Sequence, residues 1–175
     1  MNTPFVSVPA RDSRLYDTVD SPVGTLALLG DGEVLTGLYM LDPGDPAEAH
    51  VPASATHAPG SFPAVREQLT AYFAGDLTEF TVPLAPSGSA FQLAVWAELT
   101  RIPYGETTSY GAIARALGKS PVAARAVGSA NGANPIPIIV PCHRVIGADG
   151  GLTGYGGGLP RKLTLLQIEG SAGLW

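Results

Sequence analysis

The residues best suited to nucleophilic chemistry are Cys142 and His143, which are adjacent in the run Pro141-Cys142-His143-Arg144-Val145. A free thiol has a pKa of about 8.5 and is mostly protonated at neutral pH, so an attacking cysteine needs a base beside it. His143 is a candidate for that base. Glu169 closes an apolar segment, where an inward-facing carboxylate needs a partner, and is a candidate to orient the imidazole.

A structural interpretation of the same residues stays open on residue types alone. A lone cysteine beside an apolar run is often a buried, unreactive side chain, and an adjacent histidine need not contact its sulfur. One cysteine excludes an internal disulfide. Residues 1–14 contain no apolar signal segment, so we expect a reducing, cytoplasmic location in which the thiol stays free.

The segment that positions Cys142 is apolar. Residues 138–140 (Ile-Ile-Val) predict a short buried extended segment that Pro141 stops, so the thiol is expected where a rigid segment ends. A glycine-rich stretch follows at 150–158 and lacks the Gly-Lys-Ser/Thr ending of a phosphate-binding loop. Two interpretations remain: a flexible surface turn, or backbone wrapped around a flat ligand with Tyr155 as a stacking face.

Helical periodicity dominates the chain before this segment, with helices predicted over 89–101, 109–117 and 120–130. The last two are separated by Gly118-Lys119-Ser120 and have the form of a helix-turn-helix, although short helix pairs also occur in cores. Small residues surround Arg125 on the third helix, which allows it to lie close against another surface.

The first half of the chain has a β-like pattern. Alternating apolar runs separated by turn residues predict a small antiparallel sheet with strands at 14–20, 25–30 and 33–40. Residues 41–60 predict a loop, 62–74 a helix that ends at Gly75, and 81–88 a connection. The predicted fold class is α/β (α+β), with an N-terminal lobe over 1–88 and a mostly helical lobe over 89–175 that carries the helix-turn-helix and the active-site segment.

Charge divides unevenly along the chain, whose formal net charge is −5. Residues 1–90 carry three basic and eleven acidic side chains, a balance of −8, whereas residues 91–175 carry seven and four, a balance of +3. Contact with a polyanion, if any, is therefore expected in the second half. No apolar run approaches the length of about 18 residues that a membrane span needs, so we expect no membrane partner.

The motifs of the second lobe, in their order, resemble those of the O6-alkylguanine-DNA alkyltransferases (methylated-DNA–protein-cysteine methyltransferases) of bacterial type. The resemblance covers residues 89–170 strongly, and Ser21-Pro22-Val23-Gly24 matches more loosely. The motifs that carry it are Ile102-Pro103-Tyr104-Gly105-Glu106, Ser109-Tyr110, Ala123-Ala124-Arg125-Ala126-Val127-Gly128, Asn134-Pro135, Ile138 to Val145, Gly154-Tyr155, Gly157-Gly158-Leu159, Lys162 and Glu169-Gly170.

The resemblance implies a ribonuclease H-like first lobe and a single-use DNA repair protein that moves an alkyl group from a flipped-out O6-alkylguanine to its cysteine. By this resemblance Cys142 is the acceptor, His143 takes the thiol proton through a bridging water, and Glu169 holds the histidine. Arg125 would enter the duplex and fill the gap left by the extruded base.

The remaining roles are also implied by the resemblance. Tyr110 would help to push the nucleotide out and hydrogen-bond the leaving guanine, Asn134 would fix the turn before the active-site segment, and Lys162 would assist at the pocket. The residues implied to line the base pocket are Tyr155, Gly156, Pro137 and Val145. Those implied to let the third helix lie in the minor groove are Ala123, Ala124, Gly128 and Ser129.

This sequence departs from the family at Gly156, where many members have serine or alanine; we expect altered pocket size or inhibitor fit. Some relatives hold zinc in the first lobe, but residues 1–90 have no cysteine and only His50 and His57, so no metal and no cofactor are expected. The implied partner is double-stranded DNA carrying alkylated bases. The protein is expected to act as a monomer, and cooperative assembly on DNA stays open.

Three other functions are each compatible with part of the sequence. An alkyltransferase-like lesion-binding module lacks the nucleophile, and Cys142 is present here. A cysteine–histidine hydrolase would turn over repeatedly, but nothing beyond the residue pair favours it. A transcriptional role would come only in addition, because the sensing domain of some relatives needs further cysteines.

Overall fold

The computed structural model describes residues 4–9, 14–151 and 154–171. The chain forms two compact units with the boundary between Ser87 and Gly88. Within the described ranges, no helix combines the length and the apolar character that crossing a membrane requires.

A four-stranded sheet forms the frame of the first unit, in the order β3-β2-β1-β4. Its strands are β1 (Leu15–Val19), β2 (Leu26–Gly30), β3 (Leu35–Met40) and β4 (Thr56–His57). The first three are antiparallel as predicted, but β4 pairs parallel to β1, so the sheet is mixed. The expectation of an antiparallel sheet is corrected here. After β3 the chain returns through a 3₁₀ turn at Ala47–Ala49, inside the predicted loop, so β4 runs in the direction of β1.

Local chemistry explains the ends of these elements. Asp31 accepts hydrogen bonds from the backbone N–H groups of Glu33 and Val34 at 2.9 and 2.7 Å, which closes the β2–β3 connection. Helix α1 (Pro63–Phe73) buries Val65, Leu69 and Tyr72, spaced at helical intervals. Gly75, at φ 81°, ends it where the sequence predicted a stop.

The second unit is mostly helical. Its elements are α2 (Ala90–Leu99), β5 (Thr108–Ser109), α3 (Tyr110–Ala116), α4 (Ala124–Gly132), β6 (Val145–Ile146) and α5 (Leu159–Ile168). Ser89 and Gln92 form a capping box that starts α2, and the Ser109 hydroxyl caps α3. The predicted third helix is divided: Pro121–Ala123 forms a 3₁₀ turn that α4 continues.

The segment before Cys142 is buried but not extended, which corrects the prediction. Residues 136–140 form a turn, in which the N–H of Val140 donates to the carbonyl of Ile136 at 3.0 Å. Pro137 and Pro141 lack N–H donors, so this stretch could not form a continuous strand ladder. Ile138 adopts φ 74°, a left-handed conformation that is costly for a β-branched side chain.

Candidate active site

The thiol of Cys142 lies in a short 3₁₀ turn, Cys142–Arg144, and only 5% of the residue is exposed. Burial raises the pKa of the thiol above its ordinary value. The polar side chains of Asn134 and Tyr155 and the positive charge of Lys162 offset part of this effect. The thiol is therefore protonated at neutral pH, and nucleophilic attack requires a base.

His143 has the properties of that base. Its Nε2 atom lies 2.7 Å from Oε2 of Glu169, and both side chains are fully buried. Because an ionised carboxylate only accepts hydrogen bonds, Nε2 carries the ring proton and Nδ1 carries the lone pair. That Nδ1 atom is buried and has no hydrogen-bond partner among the described residues. Burial lowers the pKa of His143, although the bond to Glu169 opposes the shift, so the ring is neutral at physiological pH.

Glu169 is the residue that caps the end of α5. Its burial alone would raise the pKa of the carboxyl, but hydrogen bonds from His143 and Arg144 outweigh burial and lower the pKa to about 2. Arg144 donates from Nε to Oε1 at 2.7 Å and from Nη2 to Oε2 at 3.0 Å. The carboxylate is thus ionised and held on both oxygens.

A loop of the same unit supports Arg144 from the other side. The Nη1 atom donates to the carbonyl of Ile102 at 2.6 Å, and the guanidinium carbon lies 5.9 Å from the centre of the Tyr104 ring. Tyr104 in turn donates to the carbonyl of Ile168 at 3.0 Å, at the end of α5. This contact explains how the Ile102-Pro103-Tyr104-Gly105 sequence contributes to the site although it lies far from Cys142 in the chain.

Lys162 and Asn134 also lie close to the nucleophile. Lys162 is completely buried and donates from Nζ to the carbonyl of Val145 at 2.6 Å; burial lowers its pKa. Asn134 closes the turn before Cys142, since its Nδ2 donates to the carbonyl of Val140 at 2.8 Å and its Oδ1 accepts from the N–H of Ile136 at 3.0 Å.

Two residues of this cluster were not predicted from the sequence. Arg144 was predicted only as part of the Pro141–Val145 motif, although an arginine within the largely apolar run 138–146 is itself a signal of a buried partner. Asn131, on α4, donates from Nδ2 to the carbonyl of Cys142 at 3.3 Å and is 4% exposed. A single asparagine in a small-residue helix carried no pattern that could have identified it.

The residues expected to line a base pocket have different environments. Tyr155 is half-buried, and its side chain helps to lower the pKa of the thiol. Val145 is buried, and its carbonyl is the acceptor for Lys162. Pro137 is half-buried in the turn before Cys142, whereas Gly156 is exposed, and a Cβ there would lie 3.8 Å from the carbonyl oxygen of Gly132.

The helix pair α3–α4 carries the residues expected to meet DNA. Arg125 is exposed on α4, as is Ser129, and Ala123 and Ala124 are half-buried. The Tyr110 ring of α3 packs over Gly128, where a Cβ would lie 3.8 Å from two ring atoms. The small residue therefore brings the tyrosine against the helix that carries Arg125.

The fold and the site together define a protein with a buried cysteine–histidine–glutamate array in a helix-turn-helix unit. Residues 90–171 match the family model described as 6-O-methylguanine DNA methyltransferase, DNA binding domain. Residues 15–86 match the model described as 6-O-methylguanine DNA methyltransferase, ribonuclease-like domain. The chain belongs to this methyltransferase family.

Curated relatives agree with the two models. The methylated-DNA–protein-cysteine methyltransferase of Mycobacterium tuberculosis is 58% identical over 157 residues, which cover 89% of this chain and 92% of the relative. The protein of the same name from Methanosarcina acetivorans is 51% identical over 156 residues, covering 89% and 98%.

Solved structures show the same similarity. The M. tuberculosis O6-methylguanine methyltransferase superposes with a TM-score of 0.82 at 56% identity, covering 90% of this chain and 93% of that one. A crystal structure of the M. tuberculosis protein in complex with DNA gives 0.81 at 57% identity, with coverages of 90% and 93%. The O6-methylguanine-DNA methyltransferase of Pyrococcus kodakaraensis gives 0.70 at 29% identity, covering 89% and 99%.

Proposed function

We propose that this protein repairs DNA by direct reversal of damage, transferring the alkyl group of O6-alkylguanine, and also of O4-alkylthymine, irreversibly to Cys142. The observation that carries the proposal is that the buried Cys142 is followed in the chain by a neutral His143, whose Nδ1 atom has no hydrogen-bond partner in the described part of the chain. Displacement at the alkyl carbon of an aryl ether requires a soft nucleophile. A cysteine thiolate is the softest nucleophile among the protein side chains.

The proposed reaction conserves atoms and charge. His143 Nδ1 takes the thiol proton through a bridging water, and the sulfur attacks the alkyl carbon. The S–C bond forms while the C–O6 bond breaks, and its electron pair leaves on the guanine. The guanine takes up at N1 a proton that the imidazolium gives back through water. Glu169 keeps the ring oriented and stabilises the imidazolium formed in the step. The product is a thioether, which does not hydrolyse under physiological conditions, so each molecule reacts once.

Double-stranded DNA with alkylated bases is the proposed partner, as supported by the match to a DNA-binding domain and by the similar M. tuberculosis protein solved with DNA. The O6 atom cannot be approached in line while the base is stacked, so the nucleotide is flipped out. Arg125 fills the gap in the duplex, and Tyr110 pushes the nucleotide and hydrogen-bonds the leaving base. The small residues that allow the helix into the minor groove are Ala123, Ala124, Gly128 and Ser129.

The flipped base is proposed to enter a pocket lined by Tyr155, Gly156, Pro137 and Val145. Lys162 lowers the pKa of the thiol by its charge and assists at this pocket, and Asn134 fixes the turn that presents Cys142. The protein is proposed to act as a monomer in the cytoplasm, where the free thiol stays reduced.

Nucleoside analysis of a duplex carrying one O6-methylguanine tests this function. The protein should convert the lesion to guanine in an amount equal to the protein added and then stop. Cys142→Ser should leave the lesion intact while still binding the duplex. Repeated turnover by the wild-type protein, or conversion by the Cys142→Ser variant, would refute suicide transfer to this residue.

A further inference from the structure

A buried carboxylate that hydrogen-bonds a histidine normally favours the imidazolium, which cannot take a proton from a thiol. Glu169 is such a carboxylate, since His143 lies 2.7 Å from its Oε2 and both groups are fully buried. Burial of the His143 ring opposes this preference, and a positive charge next to Glu169 opposes it further.

The guanidinium of Arg144 is placed to do so. It contacts both carboxylate oxygens, at 2.7 and 3.0 Å, and shares Oε2 with the histidine. We propose that Arg144 is a positioning residue. It hydrogen-bonds both carboxylate oxygens of Glu169 and thereby helps to keep His143 in its neutral, proton-accepting form. The inference rests on the proposed function and deepens it, because it names the group that sets the protonation state of the base.

The charge count of the cluster gives the physical reason. With Arg144 present, the Arg144–Glu169 pair is neutral, and protonating His143 would place a net positive charge in a buried site. Without Arg144, the histidine would face an uncompensated buried carboxylate, and protonation would neutralise it. The guanidinium therefore adds to burial in favouring the neutral form of the ring. Its effect on His143 is in the same direction as that of burial, since both lower the pKa of the ring.

Other charged groups near His143 do not replace Arg144. Lys162, on α5, also disfavours the imidazolium, but its Nζ is directed to the carbonyl of Val145 and not to the carboxylate. Cys142 is neutral until it reacts. Helix α2, which also packs against this turn, contributes one titratable side chain, Glu98, whose carboxylate pairs with Arg101 at 2.6 Å.

The geometry of Arg144 is itself fixed from outside the cluster. Its third nitrogen donates to the Ile102 carbonyl, and the Tyr104 ring lies beside the guanidinium. A lysine at this position would keep the positive charge but could not make the forked contact. The two contributions, charge and geometry, can therefore be separated by substitution.

The test compares the wild type with Arg144→Gln, Arg144→Lys and the control Arg101→Gln in the pH dependence of the rate with free O6-benzylguanine. The expected result is that Arg144→Gln moves the acid limb of the profile upward by about one to three pH units and recovers activity at high pH. Arg144→Lys should lower the maximal rate at high pH and leave the acid limb of the pH profile near its wild-type position. A lower plateau for Arg144→Gln with an unmoved limb would overturn the proposal.

A second measurement, of the protonation state of His143 itself, requires neither a folded Arg144→Gln variant nor the transfer reaction. The chain has three histidines, so His50→Gln/His57→Gln leaves His143 as the only imidazole, and its ring ¹⁵N shifts report its protonation. A neutral ring at pH 7 is expected in the protein that keeps Arg144. An imidazolium at pH 7 would overturn the inference even if Arg144→Gln does not fold. Failure of the wild type to transfer an alkyl group would refute the proposed function and leave this titration as a separate result.

Discussion

The Nδ2 atom of Asn131 donates a hydrogen bond to the carbonyl of Cys142 at 3.3 Å, in the interior of the second unit. Asn131 lies on α4, the helix that presents Arg125, so this bond joins the proposed DNA-entering helix to the backbone of the proposed nucleophile. The same turn of α4 is fixed to α2, because the indole N–H of Trp96 donates to the carbonyl of Ala130 at 2.8 Å. The nucleophile is therefore held by the helix expected to read the DNA.

Replacing Asn131 with alanine should loosen this connection. The carbonyl of Cys142 would lose a buried donor, which costs about 1–3 kcal/mol of unfolding free energy. The rate with free O6-benzylguanine should fall several-fold, because the turn that holds the thiol is no longer tied to α4. Urea denaturation and single-turnover kinetics measure the two effects. Gln68→Ala, which removes two exposed hydrogen bonds with Thr81 in the first unit, is the control. Unchanged stability and rate in Asn131→Ala would contradict the role.

Two separate features of the structure should make glycine necessary at position 105. It adopts φ 81°, and a Cβ there would lie 3.1 Å from the carbonyl oxygen of Glu169. Gly105→Ala should cost about 1–2 kcal/mol for the backbone conformation and should also displace the end of α5 that carries the carboxylate. Gly75→Ala, at the same φ but with open space around its Cβ, should show the conformational cost alone. Equal rates with O6-benzylguanine in the two variants would show that the contact with Glu169 has no effect on the site.

Much of the fold could be predicted from the sequence because local chemistry specifies it. The Ser89 capping box, the Asp31 turn and the glycine stop after α1 are short-range patterns, and each lies within a residue or two of the predicted element boundary. The parallel pairing of Thr56 and His57 with β1 could not be predicted, because it depends on a return of the chain across the sheet that no local pattern encodes.

The site shows the same division between local and long-range features. Cys142 and His143 were predicted from their adjacency, and Glu169 from a charge in an apolar segment. The contacts of Arg144 with Ile102 and Glu169 span 42 and 25 residues, so only the folded chain reveals them. The left-handed Ile138 was likewise predicted as extended, because a β-branched residue gives no sequence signal for such a turn.

The buried Glu169–His143 pair should make stability depend on pH in a defined direction. The pKa of Glu169 falls from an ordinary value of 4.5 to about 2, so its contribution of about 3 kcal/mol is complete above pH 4.5 and is lost as pH falls toward 2. The pKa of His143 also lies below its ordinary 6.5, so the unfolded chain takes up that proton first and stability begins to decline below pH 6.5.

Denaturation midpoints measured between pH 2 and 8 check this dependence. Glu169→Gln should be less stable than the wild type at neutral pH and should show a shallower decline between pH 4.5 and 2. Glu33→Gln, which changes an exposed carboxylate of the first unit, should follow the wild-type curve. A Glu169→Gln curve parallel to that of the wild type would contradict the assigned direction.

Arg125→Ala should separate DNA handling from the chemistry at sulfur. The side chain is exposed on α4, so its removal should slow repair of an O6-methylguanine duplex by at least about tenfold, the scale of one lost charged contact. The reaction with free O6-benzylguanine should keep its rate, since no base has to be flipped. Arg101→Ala, an arginine paired with Glu98, is the control. Equal slowing on both substrates would count against a role for Arg125 in the duplex.

The most direct test of transfer to Cys142 is the intact mass of the protein after reaction with increasing amounts of a duplex that carries one O6-methylguanine. We expect the addition of a single methyl group, complete at one equivalent of lesion and located on Cys142 by peptide mapping. An unchanged mass with the lesion still bound, or a methyl group on any other residue, would contradict it.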